Sequence, residues 1–177
     1  ASDVYKRQVS GERMADKVAA QQLKTACQGA AATVKKVERK DKSEKPPALY
    51  DLTTLQRDAN RLLGFTAQQT LDYLQNLYEK KLCTYPRTDS RYLTSDMAEG
   101  LPVLVNLVAN AMPFRKGIAI SCDAAAVIHD KKVTDHHAVI PTRNIREADL
   151  SALPVGERTI LELVALRLLC AVAPPYI

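Results

Sequence analysis

The chain has 177 residues, an apolar fraction of 46% and a net charge of +5, which suits one ordinary globular domain or parts of two and mildly favours a polyanionic partner. Its four cysteines, Cys27, Cys83, Cys122 and Cys170, lie far apart and never form a C-x-x-C pair, so neither a zinc finger nor a disulfide framework is expected and a reducing cytoplasm is the default. No apolar run reaches the roughly 18 residues of a membrane-spanning helix, and the start carries no signal-peptide pattern.

Residues 1–10 show no clear period and are left unassigned, as an artefact of the chain end. From Glu12 to Gln28, Ala15, Ala19, Leu23, Ala26 and Cys27 follow helical spacing, and Gly29 closes that helix. Ala32–Arg39 reads as a strand with a polar flank. The segment Lys35–Lys45 carries six basic and three acidic side chains, which suits a charged, solvated edge better than a track for phosphates. Ser43–Pro47 is a polar link, and a domain boundary is placed near residue 47.

Leu49–Arg57 leads into a helix with Thr53 or Thr54 as its cap, Leu55, Ala59, Leu62 and Leu63 as its apolar stripe, and Gly64 as its end. Thr66 caps the next helix, with Gln69 completing a capping box. Its buried face is Leu71, Leu74, Leu77, Tyr78 and Leu82. The two form a helix-turn-helix-like pair, by itself weak evidence of DNA binding. A third helix is expected from Thr94 or Ser95, with Met97, Leu101, Leu104, Val105 and Val108 inward. Pro102 falls in its early turns and Pro113 follows its end. Ile118–Cys122 is a short strand or irregular segment. Glu157–Ala171 is a final helix with Ile160, Leu161, Val164 and Leu168 on one face, stopped by Pro174 and Pro175.

Two stretches carry the chemistry. Lys81–Leu93 places a tyrosine hydroxyl, two guanidiniums, further hydroxyls and a carboxylate within a few residues. Pro86 disfavours helical backbone at Tyr85, so the tyrosine should sit in extended or turn conformation at the end of an element. A phenol is a poor nucleophile at neutral pH unless a fixed cation stabilises the charge that develops. Arg87 is that cation, on the same side as Tyr85 if the backbone is extended. An isolated Tyr-x-Arg is more often a packed tyrosine beside a surface arginine. The second stretch, Val133–Thr142, holds two of the three histidines, His136 and His137, beside Asp135. Metal binding lacks a third and fourth ligand at suitable spacing. A histidine donating to a phosphate oxygen fits a basic chain better. A tyrosine, an arginine and a histidine acting on a phosphodiester would give a phosphotyrosine ester that conserves bond energy and allows resealing without ATP. Other groups must move the protons, and no cluster in this chain supplies them.

Leu82-Cys83-Thr84-Tyr85-Pro86-Arg87-Thr88-Asp89-Ser90-Arg91-Tyr92-Leu93 closely resembles the active-site tyrosine motif of type IA DNA topoisomerases, in the form of the topoisomerase III branch. Leu49–Arg57 resembles the segment preceding it in that family, and Asp135–Thr142 resembles the family's second motif, where a histidine lies near the scissile phosphate. The resemblance covers roughly residue 12 to the C-terminus. It implies a mainly α fold with minor β: residues 48–150 as the helical tyrosine-bearing domain (domain III), residues 11–47 as helix and strand of a neighbouring arch, and residues 151–177 as the start of a return helix into that arch.

By that resemblance Tyr85 is the nucleophile forming a 5'-phosphotyrosine, Arg87 contacts the scissile phosphate, and His136 is the motif histidine with His137 its neighbour. Thr88, Asp89 and Ser90 shape the loop on the DNA-facing side, and Gln56 and Arg57 are supporting or DNA-facing. Tyr50, Tyr73, Tyr78 and Tyr92 are read as packing residues. The implied activity is cutting and rejoining single-stranded DNA to change topology without ATP, with single-stranded DNA and the enzyme's remaining domains as partners. The location implied is cytoplasmic, nucleoid-associated in a bacterium. The family's Toprim domain, with its Asp-x-Asp-x-Glu cluster, and its Gly-Arg-Val-Gln segment are absent from this sequence. The chain is therefore expected to be an internal fragment, inactive alone in relaxation, with magnesium held by the absent Toprim domain and none by these residues. Alternatives are another phosphotyrosine strand transferase, such as a tyrosine recombinase or relaxase, or a helix-turn-helix DNA-binding module. Adjacent rather than spaced histidines disfavour the relaxase, and the lack of dispersed arginines around the tyrosine disfavours the recombinase.

Overall fold

A computed structural model describes residues 15–31, 33–34, 36–38, 42–113 and 121–175. The chain divides into two compact units, Ala1–Lys40 and Asp41–Ile177.

In the first unit α1 spans Lys17–Cys27. Asp16 caps it, its carboxylate accepting from the Val18 N–H at 2.8 Å. Gly29, at φ +80°, turns the chain away just past its end, a conformation that costs glycine little. The strand expected over Ala32–Arg39 is not formed at Thr33, Val34 or Lys36–Glu38, and its other residues lie outside those described. Alternation decides only which side chains share a face; a strand also needs a second strand to complete its hydrogen bonds. Residues 1–10, and Ile118–Ile120 of the other uncertain segment, likewise lie outside the described residues.

The second unit holds four α-helices among its described residues: α2 Leu52–Leu63, α3 Ala67–Glu79, α4 Leu101–Ala111 and α5 Val155–Ala171. α2 begins with Asp51 rather than Thr53 or Thr54 as its cap. The Asp51 carboxylate accepts from the Thr54 N–H at 2.6 Å, and the Thr54 hydroxyl accepts from the Asp51 N–H at 3.2 Å. An anion at this end faces the positive pole of the helix dipole, which a threonine cap would not exploit. α2 ends on Gly64 at φ +72°, as its sequence indicates. α3 carries the expected reciprocal cap, with Gln69 N–H donating to Thr66 Oγ1 at 3.1 Å and Thr66 N–H to Gln69 Oε1 at 2.9 Å.

The inward face of α3 is Thr70, Leu74 and Leu77. Thr70 is buried without penalty because its hydroxyl donates back to the Thr66 carbonyl at 2.9 Å. Tyr78, expected inward, is 39% exposed, and Leu62 on α2 is 54% exposed. Both expectations took the apolar stripe as wider than the neighbouring helices cover.

α4 starts at Leu101, later than Thr94 or Ser95, which open only a short 3-10 turn over Ser95–Met97. A proline lacks the N–H that an interior turn needs, so Pro102 is tolerated only in the first turn. α5 is the central element: it packs against α2, α3 and α4, within the same unit as residues 48–150. Ile160, Leu161, Val164, Ala165, Leu168 and Ala171 form its buried side. Gly156 lets its first turn approach α3 closely, since a Cβ there would lie 2.4 Å from the Tyr73 ring.

Two polar ties brace this packing. Glu157, 4% exposed, accepts from Asn76 Nδ2 at 3.0 Å and pairs with Lys80. Arg167 pairs with Asp58 and donates to the Tyr50 hydroxyl at 2.9 Å, while that hydroxyl donates to Asp58 at 2.8 Å. A buried charge is tolerated when paired in this way.

The β content is limited among the described residues to isolated bridges. Tyr50 pairs antiparallel with Val139, Cys83 antiparallel with Pro141, and Leu93 parallel with Ile128. The fold is thus mainly α with minor β, as expected. No described helix is long and apolar enough to cross a membrane.

Candidate active site

The end of α3 aims the tyrosine stretch. Lys81 adopts φ +60°, the one described non-glycine residue in the left-handed region. Around it the Lys81 N–H donates to the Tyr78 carbonyl and the Leu82 N–H to the Leu77 carbonyl, both at 2.8 Å. This pair of bonds is the Schellman arrangement, which satisfies the last carbonyls of a helix while reversing the chain. Leu77 and Leu82 are both buried, supplying the apolar contact that accompanies it.

The reversed chain then pairs with the second motif. The Thr84 N–H donates to the Ile140 carbonyl at 3.0 Å, and the Thr142 N–H donates to the Leu82 carbonyl at 2.9 Å. The Thr84 hydroxyl accepts from the Ile140 N–H at 3.0 Å. Ala138 N–H donates to the Tyr92 carbonyl at 2.9 Å, and Val139 N–H to the Tyr50 carbonyl at 2.8 Å. Residues 138–142 therefore form an extended strip held on one side by the tyrosine stretch and on the other by Tyr50. Leu49–Arg57 thus meets both motifs.

Tyr85 and His136 come together as a result. Their ring centroids lie 4.3 Å apart with the planes tilted by 38°. The Tyr85 ring also meets Tyr78 edge-on at 5.5 Å. Tyr85 is half-buried and His136 exposed, so the pair opens to solvent. Cys83 is no competing nucleophile, because complete burial pushes its thiol up to about 12.

Arg87 reaches the same helix by another route. The backbone bends at Pro86 and Arg87, so the extended run that would place Tyr85 and Arg87 on one side is not formed. Instead Arg87 Nη1 donates to Gln75 Oε1 on α3 at 3.2 Å. Gln75 and Tyr78 lie three residues apart, on neighbouring positions of one helix face, and they receive Arg87 and Tyr85 respectively. Tyr78, expected on the buried face, instead meets Tyr85, and the sequence marks Gln75 by nothing more than its helical spacing from Tyr78.

The remaining expected residues separate into inner and outer groups. Thr88 and Ser90 are buried. Thr88 Oγ1 donates to the His136 carbonyl at 2.8 Å, 48 residues away in sequence, and accepts from the Ser90 N–H at 3.1 Å. The Ser90 hydroxyl donates to the Lys132 carbonyl at 2.9 Å. Their hydroxyls brace the loop, so direct DNA contact from them conflicts with their burial. Asp89 is exposed. His137 is half-buried, with Nδ1 2.8 Å from the Ala138 carbonyl. Gln56 Nε2 donates to the Ala67 carbonyl at 2.9 Å, joining α2 to the start of α3, and Arg57 is exposed on α2. Among the described residues no group of three or more His, Cys, Asp or Glu side chains could hold a metal ion. The described donors thus form no cluster that would by itself hold magnesium.

The arrangement is a tyrosine and an arginine mounted on one helix face, with a histidine ring against the tyrosine. Comparison with known proteins agrees with the resemblance seen in the motifs. The family profile described as DNA topoisomerase matches residues 1–177. DNA topoisomerase 3 from Shouchella clausii is 41% identical over 176 residues, covering 96% of this chain and 24% of that protein. DNA topoisomerase 3 from Bacillus licheniformis is 40% identical over 163 residues, covering 88% and 22%. The solved structure of full-length topoisomerase I from Thermotoga maritima aligns with a TM-score of 0.54 at 26% identity, covering 76% of this chain and 22% of that one.

The chain belongs to the DNA topoisomerase family. Its relatives at about 41% identity are bacterial topoisomerase 3 proteins, and it spans about a quarter of their length.

Proposed function

We propose that this segment carries the strand-cleaving tyrosine of a longer type IA topoisomerase that acts on single-stranded DNA. Tyr85 Oη attacks a backbone phosphorus, forming a tyrosine–phosphorus ester as the bond to the 3'-oxygen breaks. The phenol proton leaves and the 3'-oxygen gains one. One phosphodiester is exchanged for another, so the reverse attack by the 3'-hydroxyl reseals the strand without ATP. Arg87 stabilises the charge that builds on the phosphate. His136 supports the tyrosine ring and offers a donor to a phosphate oxygen. Asp89, Arg57 and His137 lie on the DNA side, while Thr88, Ser90 and Gln56 hold the loop and helix pair in place.

The observation that carries this reading is the contact of Tyr85 with His136, which unites the two motifs. Magnesium and the groups that move the two protons belong to other parts of the longer protein. The bacterial relatives support a cytoplasmic site of action.

The test uses the full-length enzyme that contains this segment and an end-labelled single-stranded oligonucleotide, quenched with detergent. A covalent adduct through the 5'-phosphate should form, and Tyr85→Phe should abolish it. An adduct that persists in the variant, or one carried on the 3'-phosphate, would overturn the assignment.

A further inference from the structure

We infer that Gln75 and Glu79 on α3 form a neutral-acceptor clamp that positions Arg87 while leaving its charge available to a phosphate. The inference rests on the reading of Arg87 as the phosphate contact. Gln75 Oε1 accepts from Arg87 Nη1 at 3.2 Å, and Gln75 Nε2 donates to Glu79 Oε1 at 2.9 Å. The direction of this relay is set by chemistry. An ionised carboxylate only accepts, so the Gln75 amide nitrogen must face Glu79; a guanidinium only donates, so the amide oxygen must face Arg87. Glu79 thus fixes the amide against a flip, and the amide fixes the arginine.

A glutamine serves this purpose where a carboxylate would not. A glutamate at position 75 would hold Arg87 more tightly, as a charge-assisted pair. It would also neutralise the guanidinium that a phosphate has to meet, and compete with that phosphate for the same N–H groups. The amide supplies one acceptor and no net charge. Arg87 keeps its remaining donors, and its exposure leaves them open to a ligand. Tyr78, one turn along the same face, meets the Tyr85 ring at 5.5 Å, so one rigid helix sets the spacing of nucleophile and cation. Gln75 and Glu79 are positioning residues: neither is required to touch the DNA.

The experiment compares cleavage rates of full-length enzymes carrying Gln75→Ala, Gln75→Glu, Glu79→Gln and Arg87→Ala on the same single-stranded oligonucleotide, with thermal midpoints measured in parallel. Gln75→Ala and Gln75→Glu should each slow cleavage by on the order of tenfold, as expected when a reacting partner is misplaced or masked. Glu79→Gln should slow it less, because the amide orientation is lost only part of the time. The loss in Gln75→Glu, which keeps shape and acceptor, is the signature that a merely structural glutamine would not produce. Cleavage at the normal rate in Gln75→Glu, with Arg87→Ala impaired, would overturn the clamp and leave the role of Arg87 standing. Normal cleavage in Arg87→Ala would overturn both.

Discussion

The ring of Tyr85 lies 4.3 Å from the ring of His136, centroid to centroid, although the two motifs are separated by about fifty residues of chain. Tyr85→Phe preserves this contact and the edge contact with Tyr78, so its thermal midpoint should be unchanged while the DNA adduct disappears. His136→Ala removes one side of the ring's support and a phosphate donor. Adduct formation should then fall by about 100-fold, the lower range for loss of a positioned catalytic group. A rate equal to that of the unaltered enzyme would show that the contact is packing alone.

Arg87 is exposed and bonds only one amide oxygen among the contacts described. Arg87→Ala should therefore change folding stability by no more than about 0.5 kcal/mol, as for most surface positions. Its effect on cleavage should be about 3 kcal/mol, the scale of losing a charged stabiliser of the transition state. Denaturant titration and single-turnover cleavage on the same preparations separate the two.

Lys81 occupies a left-handed backbone position that favours glycine, at φ +60° with an exposed side chain. Left-handed backbone costs a non-glycine residue about 1–2 kcal/mol, and glycine's own entropy loss offsets part of the relief. Lys81→Gly should stabilise the fold by about 0.5–1 kcal/mol, read as a higher denaturant midpoint at constant slope. Lys81→Val should destabilise it, because a β-branched side chain tolerates that conformation least.

Gly156 faces the Tyr73 ring so closely that a Cβ would lie 2.4 Å from it. Gly156→Ala should destabilise by about 1–3 kcal/mol through overpacking between α5 and α3. In a Tyr73→Ala background the same change should cost much less, since the clash has lost its second partner. A double-mutant cycle with no coupling would refute this account.

Tyr50 should make the protein sensitive to alkali. Burial, with Asp58 adding to it and the Arg167 bond opposing it, raises the phenol from 10.0 to about 12. The unfolded tyrosine loses its proton first, so its contribution is fully present below pH 10 and is lost as pH rises through about 12. Asp58 works at the other end. Burial alone would raise its carboxyl, but bonds from Arg61 and Tyr50 and the charge of Arg167 hold it below 3.8. Its contribution is present above that value and fades as pH falls through the lowered one. Tyr50→Phe should flatten the alkaline limb of a stability–pH profile and also shrink the acid limb, because it removes the Tyr50 bond to Asp58 while Arg61 and Arg167 remain.

Local signals were legible wherever the physics is local. Thr66 and Gln69 lie three residues apart, and that spacing suffices for reciprocal capping. Gly64 ends α2 because left-handed backbone suits glycine. Pro102 held the information that α4 begins near Leu101, but Thr94 and Ser95 are helix-capping residue types and Met97 lies four residues before Leu101, which together suggest an earlier start. Tyr85 and His136 could be picked out as members of recognisable motifs. Gln75 could not, because a neutral amide on an exposed helix face looks like any solvated residue until its partner is known. The hydroxyls of Thr88 and Ser90 gave no sign that they point inward, since burial of a small polar side chain depends on which carbonyls arrive from elsewhere.

The sequence by itself determined the reciprocal cap of α3, the glycine end of α2, the central inward positions of the helices and the residue types able to attack and stabilise a phosphate. These follow from backbone preferences and the 3.6-residue repeat, which act over a few positions. Only the tertiary structure decided that His136 stacks on Tyr85 and that Arg87 bends back to Gln75. Each depends on closing a long loop, and the free energy of that closure comes from the shared core of α2, α3, α4 and α5 rather than from the residues at the site.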